Sequence, residues 1–308
     1  MSVFVEQNHT TCDFSTSDNW VILSPIEQSI KRKIEAAGTP LKDWDINIYR
    51  GVLTGYNDAF IISTEKREEI LANCKDDNER KRTEELIRPI LRGRDIKRYA
   101  YEWANLWLIA TFPSKHYNIE SYPSVKNYLL LFGIERLEQT GNINVINGEK
   151  IKARKKTSNK WFETQDSISY WEDFSKPKVM WKIIGCNINF AFDDNSMFCN
   201  NAVNIMTGNR KQLIQFVGLM NSKLFDWYLK LTTEAEVQGG GIQLYVTTLE
   251  KTPLKLDFPS NFESLIEDKM NNKISDSKMD NIIFQAYELT REESDYILSC
   301  KQVNRIDC

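Results

Sequence analysis

The chain has 308 residues, of which 41% are hydrophobic and 27% charged, and its formal net charge is −3. This length has room for one large domain or two moderate ones with a proper core. The slight negative charge argues against indiscriminate nucleic-acid binding, but it leaves room for a localised basic face. No apolar run approaches the roughly 20 residues of a membrane-spanning helix. The N-terminus, Met1-Ser2-Val3-Phe4-Val5-Glu6, lacks the basic and apolar regions of a secretory signal. A cytoplasmic protein with no membrane partner is therefore expected. Six scattered cysteines without a Cys-x-x-Cys pair, and only two histidines, indicate neither a zinc site nor a disulfide framework.

In chain order, Ser24-Pro25-Ile26-Glu27 predicts a helix start with a capping box and proline at the first position. Ile26, Ile30 and Ile34 share one face of it, and Gly38 with Pro40 ends it. Residues 48–62 read as strand, tight turn, strand. Their apolar flanks enclose Gly51, Thr54, Gly55 and Asn57, residues that tolerate positive φ or bond their own backbone. Turn chemistry alone makes this a hairpin tip. Two charged helices follow, one capped by Thr64 and one running through residues 79–87. The mixed-sign residues 80–98 have the pattern of a solvated face. Arg92-Gly93-Arg94 stands apart, because a glycine between arginines lets the backbone approach a phosphate while both side chains fork around it. Residues 106–110 predict a buried strand, and Tyr122-Pro123 opens a helix with Val125, Leu129 and Phe132 inside.

Residues 141–160 are the most loop-like part of the chain. They contain Asn147-Gly148 and then Lys150, Lys152, Arg154, Lys155, Lys156 and Lys160, the densest positive run, with Trp161-Phe162 directly after it. A flexible basic loop suits phosphate contact; a solvated tip without a partner is the plain alternative. Three strands are predicted at residues 179–184, 189–192 and 202–206. One long helix follows over residues 210–230, with Leu213, Phe216, Val217, Met220, Leu224 and Trp227 forming a core stripe. Asn221-Ser222-Lys223 interrupts the stripe with a polar edge that serves either DNA or buried backbone. Gly239-Gly240-Gly241 is no Walker loop, because no Gly-Lys-Ser/Thr follows. A DNA-facing turn and a mobile loop both remain open there. From Phe258 the chain is acidic and helical, and it ends in a helix pair over residues 280–298.

Six segments, in this order, carry a resemblance. They are Gly51-Val52-Leu53-Thr54-Gly55-Tyr56-Asn57-Asp58-Ala59-Phe60; Pro89-Ile90-Leu91-Arg92-Gly93-Arg94-Asp95-Ile96-Lys97-Arg98-Tyr99; and Trp161-Phe162-Glu163 with Tyr170-Trp171-Glu172-Asp173-Phe174-Ser175-Lys176-Pro177-Lys178-Val179. The others are Asn221-Ser222-Lys223-Leu224-Phe225-Asp226-Trp227-Tyr228; Gly239-Gly240-Gly241 with Leu249-Glu250-Lys251-Thr252-Pro253; and Ile283-Phe284-Gln285-Ala286-Tyr287-Glu288-Leu289-Thr290-Arg291-Glu292-Glu293. Together, over residues 41–293, the chain resembles the TaqI-like specificity domain at the C-terminus of adenine-specific DNA methyltransferases and type II restriction-modification enzymes.

The resemblance implies an α+β, mixed-sheet target-recognition domain with long helices and a helical C-terminal tail. Residues 1–40 would be a linker segment and connecting helix, residues 41–257 the DNA target-recognition domain, and residues 258–308 the tail. Its implied partners are double-stranded DNA and a methyltransferase catalytic domain or subunit. The residues it places on the DNA side are Thr54, Gly55, Asn57, Arg92, Arg94, Lys97, Arg98, Lys150, Lys152, Arg154, Lys155, Lys156, Lys160, Asn221, Lys223 and Gly240. The catalytic half of such enzymes holds a flipped adenine with an Asn-Pro-Pro-Tyr-type motif, and no Pro-Pro occurs here. Neither a glycine-rich turn for S-adenosylmethionine nor a Pro-Asp…Glu-x-Lys nuclease set is recognisable. The chain thus reads as a recognition part with no cofactor of its own. S-adenosylmethionine is expected on a missing or partner catalytic domain, and no catalytic residue is assigned. The alternative is a non-catalytic protein-interaction or phage-defence accessory subunit that meets a partner through its acidic tail.

Overall fold

A computed structural model describes residues 23–232, 236–237 and 241–300. The chain forms two compact units. A central unit is built from Asn47–Ile183 and Ala191–Gly208, and a terminal unit from the described parts of Met1–Ile46, Ile184–Phe190 and Asn209–Cys308. Mixed sheets and a helical C-terminal region make the fold α+β, as expected.

The central unit holds two four-stranded sheets. In one, the order is Phe190–Asp193, Lys178–Lys182, Val203–Gly208, Ile46–Arg50. Antiparallel pairing puts Ile205 opposite Met180 there. In the other, the order is Phe198–Cys199, Ile87–Leu91, Leu106–Ile109, Ile61–Ser63. Its Phe198–Cys199 edge runs parallel to Ile90 and Leu91, and the remaining pairs are antiparallel. The strands predicted around residues 106–110, 179–184, 189–192 and 202–206 are all present. Their apolar side chains meet in one core with Val52, Phe60, Ile90, Leu108, Met180 and Ile205 fully buried. Phe174 stacks on Phe198 within it, with ring centroids 4.5 Å apart.

Residues 48–62 do not form the expected hairpin. Ile46–Arg50 belongs to one sheet and Ile61–Ser63 to the other, and a helical turn, Asn57–Phe60, lies between them. The chain is diverted because its backbone bonds a distant segment. Gly51 donates to the Val203 carbonyl at 2.8 Å and Val52 to the Cys199 carbonyl at 2.7 Å. A Cβ on Gly51 would lie 2.1 Å from the Asn200 carbonyl oxygen, so only glycine permits this approach. Residues 141–160, expected to be a loop, instead contain a two-stranded ribbon, Ile143–Ile146 paired with Glu149–Lys152. Asn147 (φ 50°) and Gly148 (φ 86°) form its turn. Two consecutive positive φ values give the turn twist that suits an antiparallel ribbon, and Asn-Gly is the dipeptide that adopts it most readily.

In the terminal unit the predicted capping box is formed. Ser24 N–H donates to Glu27 Oε2 at 2.7 Å, and Glu27 N–H to Ser24 Oγ at 3.4 Å, at the head of the helix Pro25–Ala37. The single long helix expected over residues 210–230 is two helices, Arg210–Met220 and Lys223–Thr232. Asn221 breaks it because its side-chain amide accepts from the Phe190 N–H (3.1 Å) and donates to the Phe190 carbonyl (2.8 Å). The polar edge therefore serves buried backbone. The predicted helix pair near the end is Asp276–Ala286 and Arg291–Ser299. The helices near the two ends of the chain meet in this unit: Tyr296 Oη donates to Glu27 at 2.7 Å, and Ser29 and Lys33 both reach Glu293 at 2.7 Å. Cys74, Cys199 and Cys300 are free thiols. No helix among the described residues is long and apolar enough to cross a membrane.

Candidate nucleic-acid interface

The site begins at the crossover loop between the two sheets. Thr54 is buried, donates its hydroxyl to Asn57 Oδ1 at 2.7 Å and accepts the Tyr56 N–H at 3.2 Å. These bonds fold the loop back on itself, so Gly55 and Asn57 stand exposed at its crest. Gly55 sits at φ 78°, and a Cβ there would lie 2.9 Å from Gln165 Oε1 and 3.0 Å from Arg154 Cδ. Both the backbone angle and the crowding call for glycine.

Arg154 lies beneath this loop and is only 4% exposed. Its guanidinium donates to four carbonyls: Leu137 (2.7 Å), Thr54 (2.8 Å), Glu163 (2.8 Å) and Trp161 (2.6 Å). Burial pulls its pKa down to about 10, which leaves it protonated at neutral pH. The sequence pattern grouped Arg154 with the phosphate-facing residues. The structure corrects this, since its donors are spent inside the unit. What Arg154 does is pin the basic run against the crossover loop, and its neighbours Lys152, Lys155 and Lys156 are left exposed.

The result is an open cleft of about 620 Å³. It is lined by Gly55 and Tyr56 from the crossover loop, Lys152, Lys155 and Lys156 from the basic run, and Arg136 and Gln165. Arg136 lies 5.5 Å over the Tyr56 ring, which holds a further cation at the rim. The sequence offered no signal for Arg136, because its place depends on the short helix Ile134–Leu137 meeting a loop some eighty residues earlier. Asp166 is the nearby acid. Burial raises its pKa, against the pull of Arg50 and Lys155.

The other sequence-selected residues lie apart from the cleft lining. Arg92 clamps Asp95 through Nε (3.0 Å) and Nη2 (2.8 Å), so its fork is engaged within its own turn. Arg94 is exposed, Lys97 pairs with Glu102 at 3.4 Å, and Arg98 lies 5.2 Å over the Tyr99 ring. Lys150 is exposed on the ribbon, and Lys160, also exposed, lies 5.6 Å over the Phe162 ring. Thr54 and Asn221 are buried, and their side chains bond the neighbouring chain rather than facing outward. Lys223 is half-buried, and its N–H donates to Asp280 at 2.9 Å in the terminal unit. Gly240 lies outside the described residues. Among the described residues no group of three or more His, Cys, Asp and Glu could hold a metal ion.

The sequence profile of the TaqI-like C-terminal specificity domain matches residues 88–254, more than half of the chain. The chain belongs to that family of specificity domains. No curated protein sequence matches it. Solved structures similar to it include two restriction enzymes. The type IIL restriction-modification enzyme MmeI, solved in complex with DNA, matches over 85% of this chain and 36% of its own, with a TM-score of 0.52 and 10% identity. The type IIG restriction endonuclease BpuSI matches over 89% of this chain and 33% of its own, with a TM-score of 0.49 and 11% identity. The chain thus spans about a third of the length of each.

Proposed function

We propose that this chain is the sequence-recognition part of an adenine-specific DNA methyltransferase or restriction-modification enzyme. In this reading it binds duplex DNA and holds a catalytic domain, in a longer chain or a separate subunit, over the target base. The observation that carries the reading is the cleft, where three exposed lysines meet a glycine-opened loop on a specificity-domain scaffold. Exposed lysines suit phosphate oxygens, which set register without carrying sequence information. Gln165 and the exposed Asn57 offer amide groups of the kind that reads base edges. Arg94, Lys97, Arg98 and Lys160 would extend the phosphate contacts. S-adenosylmethionine and the methyl-transfer chemistry belong to the catalytic part.

The test is a duplex-DNA titration of the full chain across a series of salt concentrations, beside a variant carrying Lys152→Gln, Lys155→Gln and Lys156→Gln. Each phosphate that is no longer neutralised reduces the slope of log affinity against log salt by about 0.9, so the triple variant should lower it by about 2.7. An unchanged slope would remove the cleft from the interface.

A further inference from the structure

The two-stranded ribbon Ile143–Ile146 with Glu149–Lys152 has one face that packs and one that does not. Its register places Ile143 opposite Lys152 and Val145 opposite Lys150. Directly paired residues point to the same side of a sheet, so Ile143, Val145, Lys150 and Lys152 share one face. That face is open, with Ile143 63% exposed and Val145 67% exposed. On the other face Asn144, Ile146 and Ile151 are half-buried, and the Asn144 amide donates to the Glu135 carbonyl at 3.3 Å. The ribbon is therefore held from behind and presents two β-branched apolar side chains on one strand, with a lysine opposite each on the other. Lys152 also lines the cleft, which makes the ribbon face continuous with it.

We propose that this ribbon enters the major groove of the duplex and reads thymine through its 5-methyl group, Ile143 and Val145 making the apolar contacts and Lys150 and Lys152 meeting flanking phosphates. The inference rests on the DNA-binding reading above and names the part of that interface that selects bases. Three features choose this occupant. A major groove about 12 Å wide admits a two-stranded ribbon, and thymine displays its methyl group there and nowhere else. Residues two apart on a strand are about 7 Å apart, close to two base steps of about 3.4 Å each, so Ile143 and Val145 match the pitch of stacked bases. Finally, an apolar pair on one strand beside two lysines on the other complements thymine methyl groups lying next to a row of phosphates.

The experiment selects binding sites for the full chain from a random-sequence duplex pool, then compares the selected duplex made with thymine and with uracil, which lacks the methyl group. We expect a motif containing A·T pairs, and affinity about fourfold lower for each recognised methyl removed, the effect of exposing one methyl-sized group. The salt slope should stay the same, because the phosphates are untouched. An Ile143→Ser, Val145→Ser chain, which has no side-chain methyl at either position, should bind the thymine and uracil duplexes alike at the wild-type salt slope. The uracil comparison leaves the protein untouched, so it stands even if that variant folds poorly. Salt-sensitive binding by the wild-type chain with equal affinity for both duplexes, or a selected motif without A·T pairs, would overturn the ribbon's role and leave the cleft reading standing. Absence of duplex binding at every salt concentration would overturn both. Self-association of the chain that the double substitution abolishes, with methyl dependence unaltered, would assign the face to a second copy and overturn the inference.

Discussion

Arg154, Lys155 and Lys156 are adjacent in sequence, yet the first is enclosed by four carbonyls while the next two stand in solvent. The planar guanidinium can satisfy several fixed acceptors at once, which a lysine ammonium cannot do with the same geometry. Each buried carbonyl left without a donor costs about 1–3 kcal/mol. Arg154→Ala should therefore lower the unfolding free energy by at least about 3 kcal/mol, measured by urea denaturation, and Arg154→Lys should restore less than half of that. The salt slope of DNA binding should respond to Lys155→Gln and Lys156→Gln but not to Arg154→Ala in the fraction that remains folded. A stable Arg154→Ala protein with a flattened slope would return Arg154 to the phosphate contacts. Buried and exposed cations have the same letters in a sequence, and only the partners tell them apart.

At the scale of elements, the helices near the chain ends are joined through Glu293. Burial works against its charge, but hydrogen bonds from Lys33, Ser29 and the Thr290 N–H outweigh it and hold its carboxyl down to about 2, from an ordinary 4.5. Between those values the unfolded chain binds more protons than the folded one, so this link stabilises the fold fully above about pH 4.5 and is lost as pH falls toward 2. Glu293→Gln cannot titrate. Thermal unfolding should show the variant less stable than wild type at pH 7, with the gap closing between pH 4.5 and pH 2. The same gap at pH 7 and pH 2.5 would rule the link out. The split at Asn221 follows a similar logic, because the amide that ends one helix also satisfies the backbone of Phe190.

For the whole molecule, the central unit gathers a cleft and an open ribbon from segments that straddle the crossover loop, a short helix and the basic run. If the chain is the recognition part of a larger enzyme, it should show no methyl transfer from S-adenosylmethionine to duplex DNA by itself. Adding the cognate catalytic part should produce transfer confined to the motif selected by the chain, read by incorporation of labelled methyl groups. Transfer by the chain alone would reassign catalysis to it.

The core strands at residues 106–110, 179–184, 189–192 and 202–206, the capping box at Ser24 and the family resemblance were legible in the sequence, because they depend on local periodicity, on side chains bonding backbone a few residues away and on motif order. The Asn147-Gly148 turn was legible in principle, since its φ values are intrinsic to that dipeptide. Tertiary structure alone decided that Gly51 and Val52 bond a strand about 150 residues later, which makes a crossover of an apparent hairpin. It alone separated Arg154 from Lys155 and set Arg136 over Tyr56. Each of these outcomes turns on which distant groups share a volume from which water is excluded, and no short-range pattern in the chain encodes that.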